Sequence, residues 1–225
     1  MTKTPKTTKK RALKKTLETL YAQLYRAFGP QGWWPASSRF EVIVGAILTQ
    51  NTNWGNVEKA INNLKKEKLL TLDAFDKITQ KKLATLIRPS GYFNQKSKRL
   101  KDLVAYIKKN YNGSLTKFFR QDTDKLREEL LSLKGIGPET ADSILLYAAK
   151  KPVFVIDAYT KRVLMMHGIA TEDSSYDEMQ AIFMDNLKHD TKVFNEYHAL
   201  IVRLAKEHCK KREPVCNVCP LEGML

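Results

Sequence analysis

The sequence predicts an all-α fold, and three observations support this prediction. Apolar residues recur at intervals of three or four, the spacing that places side chains on one face of a helix. A two-glycine turn, LKGIG at residues 133–137, stands between two such helical patterns. The β-rich run at residues 153–156 is too short to make a strand without a partner. We therefore expect helices throughout, and 225 residues suffice for one domain or for two lobes that share a cleft.

The chain is strongly basic, with 39 Lys and Arg against 24 Asp and Glu and a formal net charge of +15. Its hydrophobic content of 43% is ordinary for a globular protein, so the excess charge indicates a polyanionic partner, most simply nucleic acid. A membrane surface fits less well, because no helical pattern opposes a Lys-rich face to an aromatic one. All three cysteines follow residue 208, which favours a reducing compartment over a disulfide scaffold. We expect a cytoplasmic protein that lies beside the DNA.

The first 15 residues carry seven Lys or Arg and no acid. We expect them to form a flexible tail that adds non-specific affinity for DNA. A helix with an apolar stripe from Leu13 to Phe28 follows, and GPQG at residues 29–32 ends it.

The next helix is predicted to begin near Arg39 and is apolar on all sides over residues 42–48, so it should be buried. Polar residues, TQNTNW at 49–54, close it. They either cap a core helix or face a cleft. Further helices are predicted at roughly 55–66, 72–78, 81–87, 88–109, 123–133, 138–148, 159–167, 176–187 and 191–208.

The two-glycine turn is the motif around which the chain is organised. Pro138 suits the first turn of the helix that follows, because a backbone N–H is not needed there. Gly135 and Gly137, with Ile136 between them, permit a tight turn that presents backbone N–H groups at a helix N-terminus. With Lys134, such a turn holds a DNA phosphate without reading a base. The alternative is an ordinary corner between two helices.

Asp157 ends the apolar run 153–156 and precedes a helical pattern, so it is either a helix N-cap or a carboxylate at the mouth of a cleft. The pattern L-x-G-[IV]-G-x-x-[ST]-A, then a helix, then an apolar run that ends in Asp, resembles the helix–hairpin–helix (HhH-GPD) DNA glycosylases of the endonuclease III superfamily. The resemblance covers most of the chain. It implies two helical lobes with a DNA-binding cleft between them: a basic tail (1–15), a central lobe ending in the hairpin (32–151) and a second lobe (16–31 with 152–225).

The resemblance also implies residues that contact DNA. In relatives the L-x-x-Q-x-[ST] segment lies on the DNA side, and its Gln reaches into the gap left by an extruded base; Gln50 matches that position. The run at residues 91–96 matches a G-x-x-x-x-K stretch that lies near DNA. Lys96, Lys98 and Arg99 therefore either contact phosphates or form a solvated face. The implied partner is double-stranded DNA with damaged bases, bound by a monomer.

Cys209, Cys216 and Cys219 are spaced C-x6-C-x2-C, and clustered thiolates of this kind are typical metal or iron–sulfur ligands. Endonuclease III relatives hold a [4Fe–4S] cluster with a fourth Cys that would fall at position 225, which here is Leu225. Three interpretations stay open: three thiolates with an unusual fourth ligand, such as the chain's own carboxylate; a lost cluster; and a zinc site that uses His208.

The residue before Thr140 and Ala141 bears on the reaction. Glycosylases that also nick DNA carry a Lys there, whose amine forms a Schiff base with the sugar. This chain has Glu139, which cannot form an imine. The resemblance then implies a hydrolytic, monofunctional glycosylase in which Asp157 stabilises the oxocarbenium-like sugar and positions water. We assign Glu139 no catalytic role.

All three tryptophans stand at the two ends of the buried helix, at Trp33, Trp34 and Trp54. This arrangement is similar to that of bacterial 3-methyladenine DNA glycosylases of the third type, which implies a base pocket of Trp33, Pro35 and Trp54. Cationic alkylpurines stack well on electron-rich rings and leave without help from a protein acid. Three core tryptophans are the alternative.

Two other functions are compatible with parts of the sequence. An endonuclease III-like glycosylase and lyase acting on oxidised pyrimidines is disfavoured by Glu139, and borohydride trapping of a DNA adduct would revive it. A non-catalytic DNA-binding protein predicts that Asp157→Asn changes no activity.

Overall fold

The structure is a computed structural model that describes residues 5–224, with side chains from residue 10 onward. Within this range the protein is all-α and contains no β-strand, as predicted. The helices are α1 (Pro5–Phe28), α2 (Arg39–Leu48), α3 (Trp54–Lys66), α4 (Leu72–Lys77), α5 (Gln80–Leu86), α6 (Phe93–Tyr111), α7 (Leu115–Arg120), α8 (Thr123–Ser132), α9 (Pro138–Ser143), α10 (Ala158–Met166), α11 (Tyr176–Met184) and α12 (Thr191–Glu207).

The helices begin where the sequence supplies a polar cap. Ser38, Asn53 and Asp157 each accept a hydrogen bond from a backbone N–H in the first turn of the helix that follows. Ser175 and Glu178 form a capping box at the start of α11. Such caps satisfy N–H groups that have no partner within the helix. Helix α7, six residues long, was not predicted.

The chain divides into two compact units. The central unit is Trp34–Lys151, and the terminal unit joins the chain up to Trp33 to the chain from Pro152 onward. The predicted boundaries were at residues 31/32 and 151/152. In the central unit α2 is buried along nearly its whole length, as its apolar sequence indicates. In the terminal unit α1 packs on α12, where the Tyr197 hydroxyl donates to the carbonyl of Leu17 over 2.9 Å.

The basic N-terminal stretch is a correction. Helix α1 begins at Pro5, so the flexible tail predicted for residues 1–15 is wrong for residues 5–15; residues 1–4 lie outside the described range. Pro suits the first turn of a helix, and the Lys, Ala and Leu that follow are good helix formers. Buried Leu17, Leu20 and Leu24 anchor the same helix further along.

The helix after the hairpin changes its geometry halfway. Helix α9 continues into a π-helical turn, Ile144–Ala148, in which the N–H of Ala149 donates to the carbonyl of Ile144 over 2.9 Å. Periodicity predicted one regular helix here. Isolated π turns are uncommon and occur preferentially near functional sites.

Among the described residues, no helix is both long and apolar enough to cross a membrane.

Candidate functional site

The hairpin turn between α8 and α9 depends on one glycine. Gly135 has φ +87°, a left-handed conformation that favours glycine, whereas Gly137 has φ −97° and needs no special residue. Gly137 occupies the N-cap position of α9 and provides no side-chain acceptor for the first-turn amides. Lys134 is exposed in the turn. This is the arrangement expected for an anion-binding turn.

Ile136 differs from the prediction. Its side chain is buried, and its backbone N–H donates to the carbonyl of Leu133 over 3.0 Å. The buried side chain of Ile136 therefore anchors the turn to the protein core. Its amide N–H is already engaged, so it is not a donor for a phosphate. A buried ion pair holds the two hairpin helices, because Arg127 on α8 binds both oxygens of Asp142 on α9 at 2.7 and 3.1 Å.

Gln50 lies against the hairpin. Its Nε2 donates to the carbonyl of Gly135 over 3.0 Å and to the hydroxyl of Thr140 over 2.9 Å, while Arg99 donates to its Oε1. Gln50 therefore contacts the hairpin within the central unit, and its predicted entry into a gap in DNA stays a prediction. Neither Thr140 nor Arg99 was predicted to contact Gln50.

Lys96 was predicted either to contact phosphates or to form part of a solvated face, and the structure contradicts both interpretations. Its side chain is only 1% exposed, and its ammonium donates to the carbonyls of Leu48 and Ser90 over 2.8 and 2.6 Å. Burial lowers the pKa of Lys96, the neighbouring charge of Arg99 lowers it in the same direction, and together they bring it to about 8. An ammonium enclosed in this way caps the end of α2 and does not reach a phosphate.

A cavity of about 310 Å³ in the central unit is lined by aromatic and acidic side chains. Trp34 and Trp54 meet edge to face, with ring centroids 5.2 Å apart, and Pro35 lies beside them. Trp34 reaches this position across Gly45, where an added Cβ would lie 3.0 Å from the indole. The volume falls at the small end of ligand pockets, which span about 300–1,000 Å³.

The base-pocket prediction named Trp33, but Trp34 lines this cavity and Trp33 does not. Trp33 belongs to the terminal unit. The two tryptophans are adjacent in a segment that is neither helix nor strand. The sequence does not show which of the two faces the cavity. Pro35 and Trp54, the other two residues of the predicted base pocket, line this cavity.

Two acidic side chains and one basic side chain line the cavity: Glu41, Glu58 and Lys65. Glu41 is buried and pairs with Lys65 at 2.6 Å. Burial raises the pKa of Glu41, but hydrogen bonds from Lys65 and Ser37 outweigh this effect and hold the pKa below its usual range. A carboxylate next to tryptophan rings favours a cation or a ring with N–H donors.

In the terminal unit, Asp157 caps α10: its Oδ1 accepts from the N–H of Thr160 over 2.7 Å. The other oxygen lies 3.5 Å from Nε2 of His198, a buried residue of α12. Burial raises the pKa of Asp157, but His198 and the Thr160 hydrogen bond outweigh it, so the pKa lies below its usual value. The side chain is 15% exposed. Asp157 is thus an ionised carboxylate at neutral pH as well as an N-cap.

Sequence reasoning missed His198. The signal that could have identified it is the position of a histidine within the apolar face of α12, beside the buried Tyr197. Forty-one residues separate it from Asp157, and only the packing of α10 on α12 brings the two together.

The three cysteines line one cavity of about 330 Å³ in the terminal unit. Cys209 is buried, Cys219 is half-buried and Cys216 is exposed. Burial raises the pKa of the Cys209 and Cys219 thiols. His208 lines the same cavity, and its Nδ1 is buried without a hydrogen-bond partner within residues 5–224.

The chain supplies three of the four thiolates of the cluster that the cysteine spacing implies, because the fourth position is Leu225. Within the described part of the chain, no three His, Cys, Asp or Glu side chains are grouped so as to hold a metal ion. The chain carboxylate suggested as a fourth ligand belongs to Leu225, which lies outside the described residues. The loop is tied to α10 by Arg162, which donates to the carbonyls of Cys209 and Ala205 over 2.6 and 3.0 Å.

Comparison with known proteins gives a consistent picture. Residues 44–189 match the family model of the HhH-GPD superfamily of base excision DNA repair proteins. The chain is 49% identical over 205 residues to a putative DNA repair glycosylase of Methanocaldococcus jannaschii, covering 90% of this chain and 92% of that protein. It is 27% identical over 187 residues to endonuclease III of Thermotoga maritima, covering 82% and 81% of the two chains.

Among solved structures, the chain resembles 3-methyladenine DNA glycosylase of H. pylori bound to 1,N6-ethenoadenine. The identity is 35%, the TM-score is 0.73, and the match covers 85% of this chain and 97% of that one. A non-covalent complex of endonuclease III with DNA matches with a TM-score of 0.79 and 23% identity, over 92% of each chain. The second match bears on the fold alone.

Proposed function

Because this chain belongs to the HhH-GPD superfamily of base excision DNA repair proteins, we propose that its substrate is an alkylated purine in duplex DNA, such as 3-methyladenine. The chain is a DNA glycosylase, an enzyme that cleaves the N-glycosyl bond of a damaged base. Such an enzyme must extrude the base from the stack before it reaches the bond. The proposal concerns which base is removed and how.

The cavity lined by Trp34, Pro35 and Trp54 carries the choice of base. N3- and N7-alkylated purines are cationic, and indole rings attract cations while also stacking on bases. Glu41 is paired with Lys65 in the same cavity, so Glu58 is the carboxylate that adds negative charge there. The 35% identity to a 3-methyladenine glycosylase supports the same choice.

The reaction requires one carboxylate. As the cationic base departs with the electron pair of the glycosyl bond, it becomes neutral and positive charge develops on the sugar. The Asp157 carboxylate stabilises that charge, and water adds to C1′ and loses a proton. No protein acid is needed, because the leaving group is already activated.

Hydrolysis without strand cleavage follows from Glu139. This residue is exposed in the first turn of α9, at the position where strand-nicking relatives carry the Lys that forms a Schiff base. A carboxylate cannot form that adduct. The exposed amine nearby, Lys134, is in the turn and is better placed for a phosphate.

The test is release of free methylated purine from alkylated duplex DNA by the purified protein. We expect Asp157→Asn to lower release by about 100-fold or more while duplex binding is retained. Asn is as good an N-cap as Asp, so α10 should keep its stability and the loss can be assigned to the charge.

Two results would contradict the proposal. Undiminished release by the Asn variant would remove Asp157 from the reaction. Release of oxidised pyrimidines with a borohydride-trapped adduct, and no release of alkylpurines, would favour the endonuclease III-like alternative.

We also propose that the protein acts as a monomer in the cytoplasm, on chromosomal DNA. Light scattering should give a mass near 25.8 kDa for the protein alone, and that mass plus the mass of one duplex when DNA is bound. A stable dimer would contradict it.

A further inference from the structure

The Gln50 amide has every hydrogen-bonding group engaged in the central unit. Both Nε2 hydrogens go to the hairpin, to the Gly135 carbonyl and the Thr140 hydroxyl, and Oε1 accepts from Arg99. A guanidinium only donates and a carbonyl only accepts, so these partners determine which end of the amide is oxygen. The side chain is thereby held in one orientation.

Arg99 reaches Gln50 across the hairpin turn. It extends from α6, and its side chain lies over Gly135, where an added Cβ would fall 2.8 Å from Cδ and 2.9 Å from Cζ of Arg99. The space that holds the guanidinium exists because residue 135 has no side chain. Arg99 thus links three segments of the central unit: α6, the segment after α2, and the hairpin.

We propose that Arg99 is a positioning residue that acts through Gln50. It holds the amide against the hairpin in the orientation needed when Gln50 occupies the gap left by an extruded base. This rests on the DNA glycosylase function and on the role that the family resemblance implies for Gln50, that its side chain enters such a gap. Arg99 limits the rotamers of a flexible side chain before DNA binds, so less conformational freedom is lost on binding.

The competing role for Arg99 is a direct phosphate contact. A phosphate contact would strengthen binding to any duplex, gapped or intact, and would add about one unit to the slope of log affinity against log salt. A positioning role affects only DNA that contains a gap, and it disappears when Gln50 is absent. The two roles therefore differ in which DNA responds and in whether Gln50 is required.

The experiment measures affinity for two duplexes, one intact and one with a stable tetrahydrofuran abasic analogue opposite 2-aminopurine, whose fluorescence reports filling of the gap. The variants are Arg99→Met, Gln50→Ala and the double variant. Lys98→Met is the matched control. Lys98 directly precedes Arg99 on α6, is exposed and pairs with Asp102 at 2.9 Å. It removes the same charge without touching Gln50.

For Arg99→Met we expect about tenfold weaker binding to the gapped duplex, the loss of one charge-assisted hydrogen bond, and a changed 2-aminopurine signal. On the intact duplex it should match Lys98→Met. In the Gln50→Ala background, Arg99→Met should weaken gapped binding no more than Lys98→Met does. Arg99→Lys, which keeps a donor but not the planar fork, should restore binding in part.

Equal losses on both duplexes, fully additive with Gln50→Ala, would overturn the proposal and assign Arg99 to a phosphate. A thermal melt of each variant identifies any loss that comes from unfolding, and the Lys variant then carries the comparison. Binding needs no base release, so a failure of the alkylpurine proposal would appear in the release assay and leave this test intact.

Discussion

Asp157 uses its two oxygens for different purposes. One caps α10 through the N–H of Thr160, and the other lies 3.5 Å from His198. The cap fixes the rotamer of the carboxylate, and the imidazole favours its ionised form. An N-cap and a catalytic carboxylate are therefore compatible roles for the same residue, which the sequence presented as alternatives.

This pairing predicts a pH dependence. His198 lowers the pKa of Asp157, so this carboxylate stays ionised to lower pH than a free aspartate. The pKa of a free aspartate is about 3.9. His198→Gln should raise that pKa, and the acid limb of kcat/KM should move to higher pH. The same linkage applies to folding: the stability that the ionised Asp157 contributes is present above its unfolded pKa and is lost as pH falls through the folded value.

The pH profile of base release measures this shift. His189→Gln is the control, because His189 is an exposed histidine of the same unit whose Nε2 lies 2.8 Å from the carbonyl of Met184. An unchanged acid limb in His198→Gln would show that the imidazole does not act on Asp157.

The two hairpin glycines should respond differently to substitution. Gly135→Ala combines a left-handed φ with overlap of the Arg99 side chain, so we expect a loss of about 1–2 kcal/mol in unfolding free energy and weaker DNA binding. Gly137→Ala meets no atom within 4 Å at a normal φ and loses only the N-cap preference of Gly over Ala, so it should cost less, on the order of 0.5 kcal/mol. Urea unfolding of both variants tests this contrast. Equal losses would contradict it.

At the level of elements, Lys96 joins the end of α2 to the segment that precedes α6. Its ammonium bridges the last carbonyl of α2 and the carbonyl of Ser90, just before α6. Carbonyls at a helix end lack intrahelical donors, and a cation near a helix C-terminus also complements the helix dipole. The segment that carries Gln50 starts immediately after this bridge.

Removal of this bridge should destabilise the protein. Lys96→Met leaves two buried carbonyls without their donor, so we expect a loss on the order of 2–4 kcal/mol in unfolding free energy. Lys98→Met, at an exposed ion pair, should cost less than about 1 kcal/mol. Chemical denaturation compares the two, and a small loss for Lys96→Met would mean that water replaces the ammonium.

The same pair of variants reports the titration of Lys96. Its pKa of about 8 in the folded protein lies below the unfolded value of about 10.4, so the unfolded state binds more protons between these limits. Wild-type stability should therefore rise with pH across this window relative to Lys96→Met. A flat difference would contradict the buried ammonium.

At the scale of the whole molecule, the dominant property is the charge of +15. A protein that neutralises six or more phosphates loses about 10³-fold or more in affinity between 50 and 200 mM salt, because bound counterions are released. We expect a loss of this size on undamaged duplex. Lys134→Met should reduce the salt slope by about one unit if Lys134 holds a phosphate. A slope unchanged by Lys134→Met would place that residue outside the DNA contact.

The sequence alone determined the helices, the hairpin and the family, because these depend on residues close together in the chain. Helical periodicity, polar N-caps and a turn that requires glycine are local, and they predicted most helix positions correctly. The resemblance added Gln50, Pro35, Trp54 and Asp157 as site residues, and it remains the reason to propose roles for them.

Only the tertiary structure decided which side chains meet. Lys96 and the carbonyl that it binds are 48 residues apart, and Gln50 and Thr140 are 90 apart. The local sequence around a basic residue on a helix does not show whether that residue faces solvent or a buried carbonyl. Nor does it show which of two adjacent tryptophans lines a cavity. Burial and hydrogen-bond partners arise from packing between distant segments, and local sequence does not encode that packing directly.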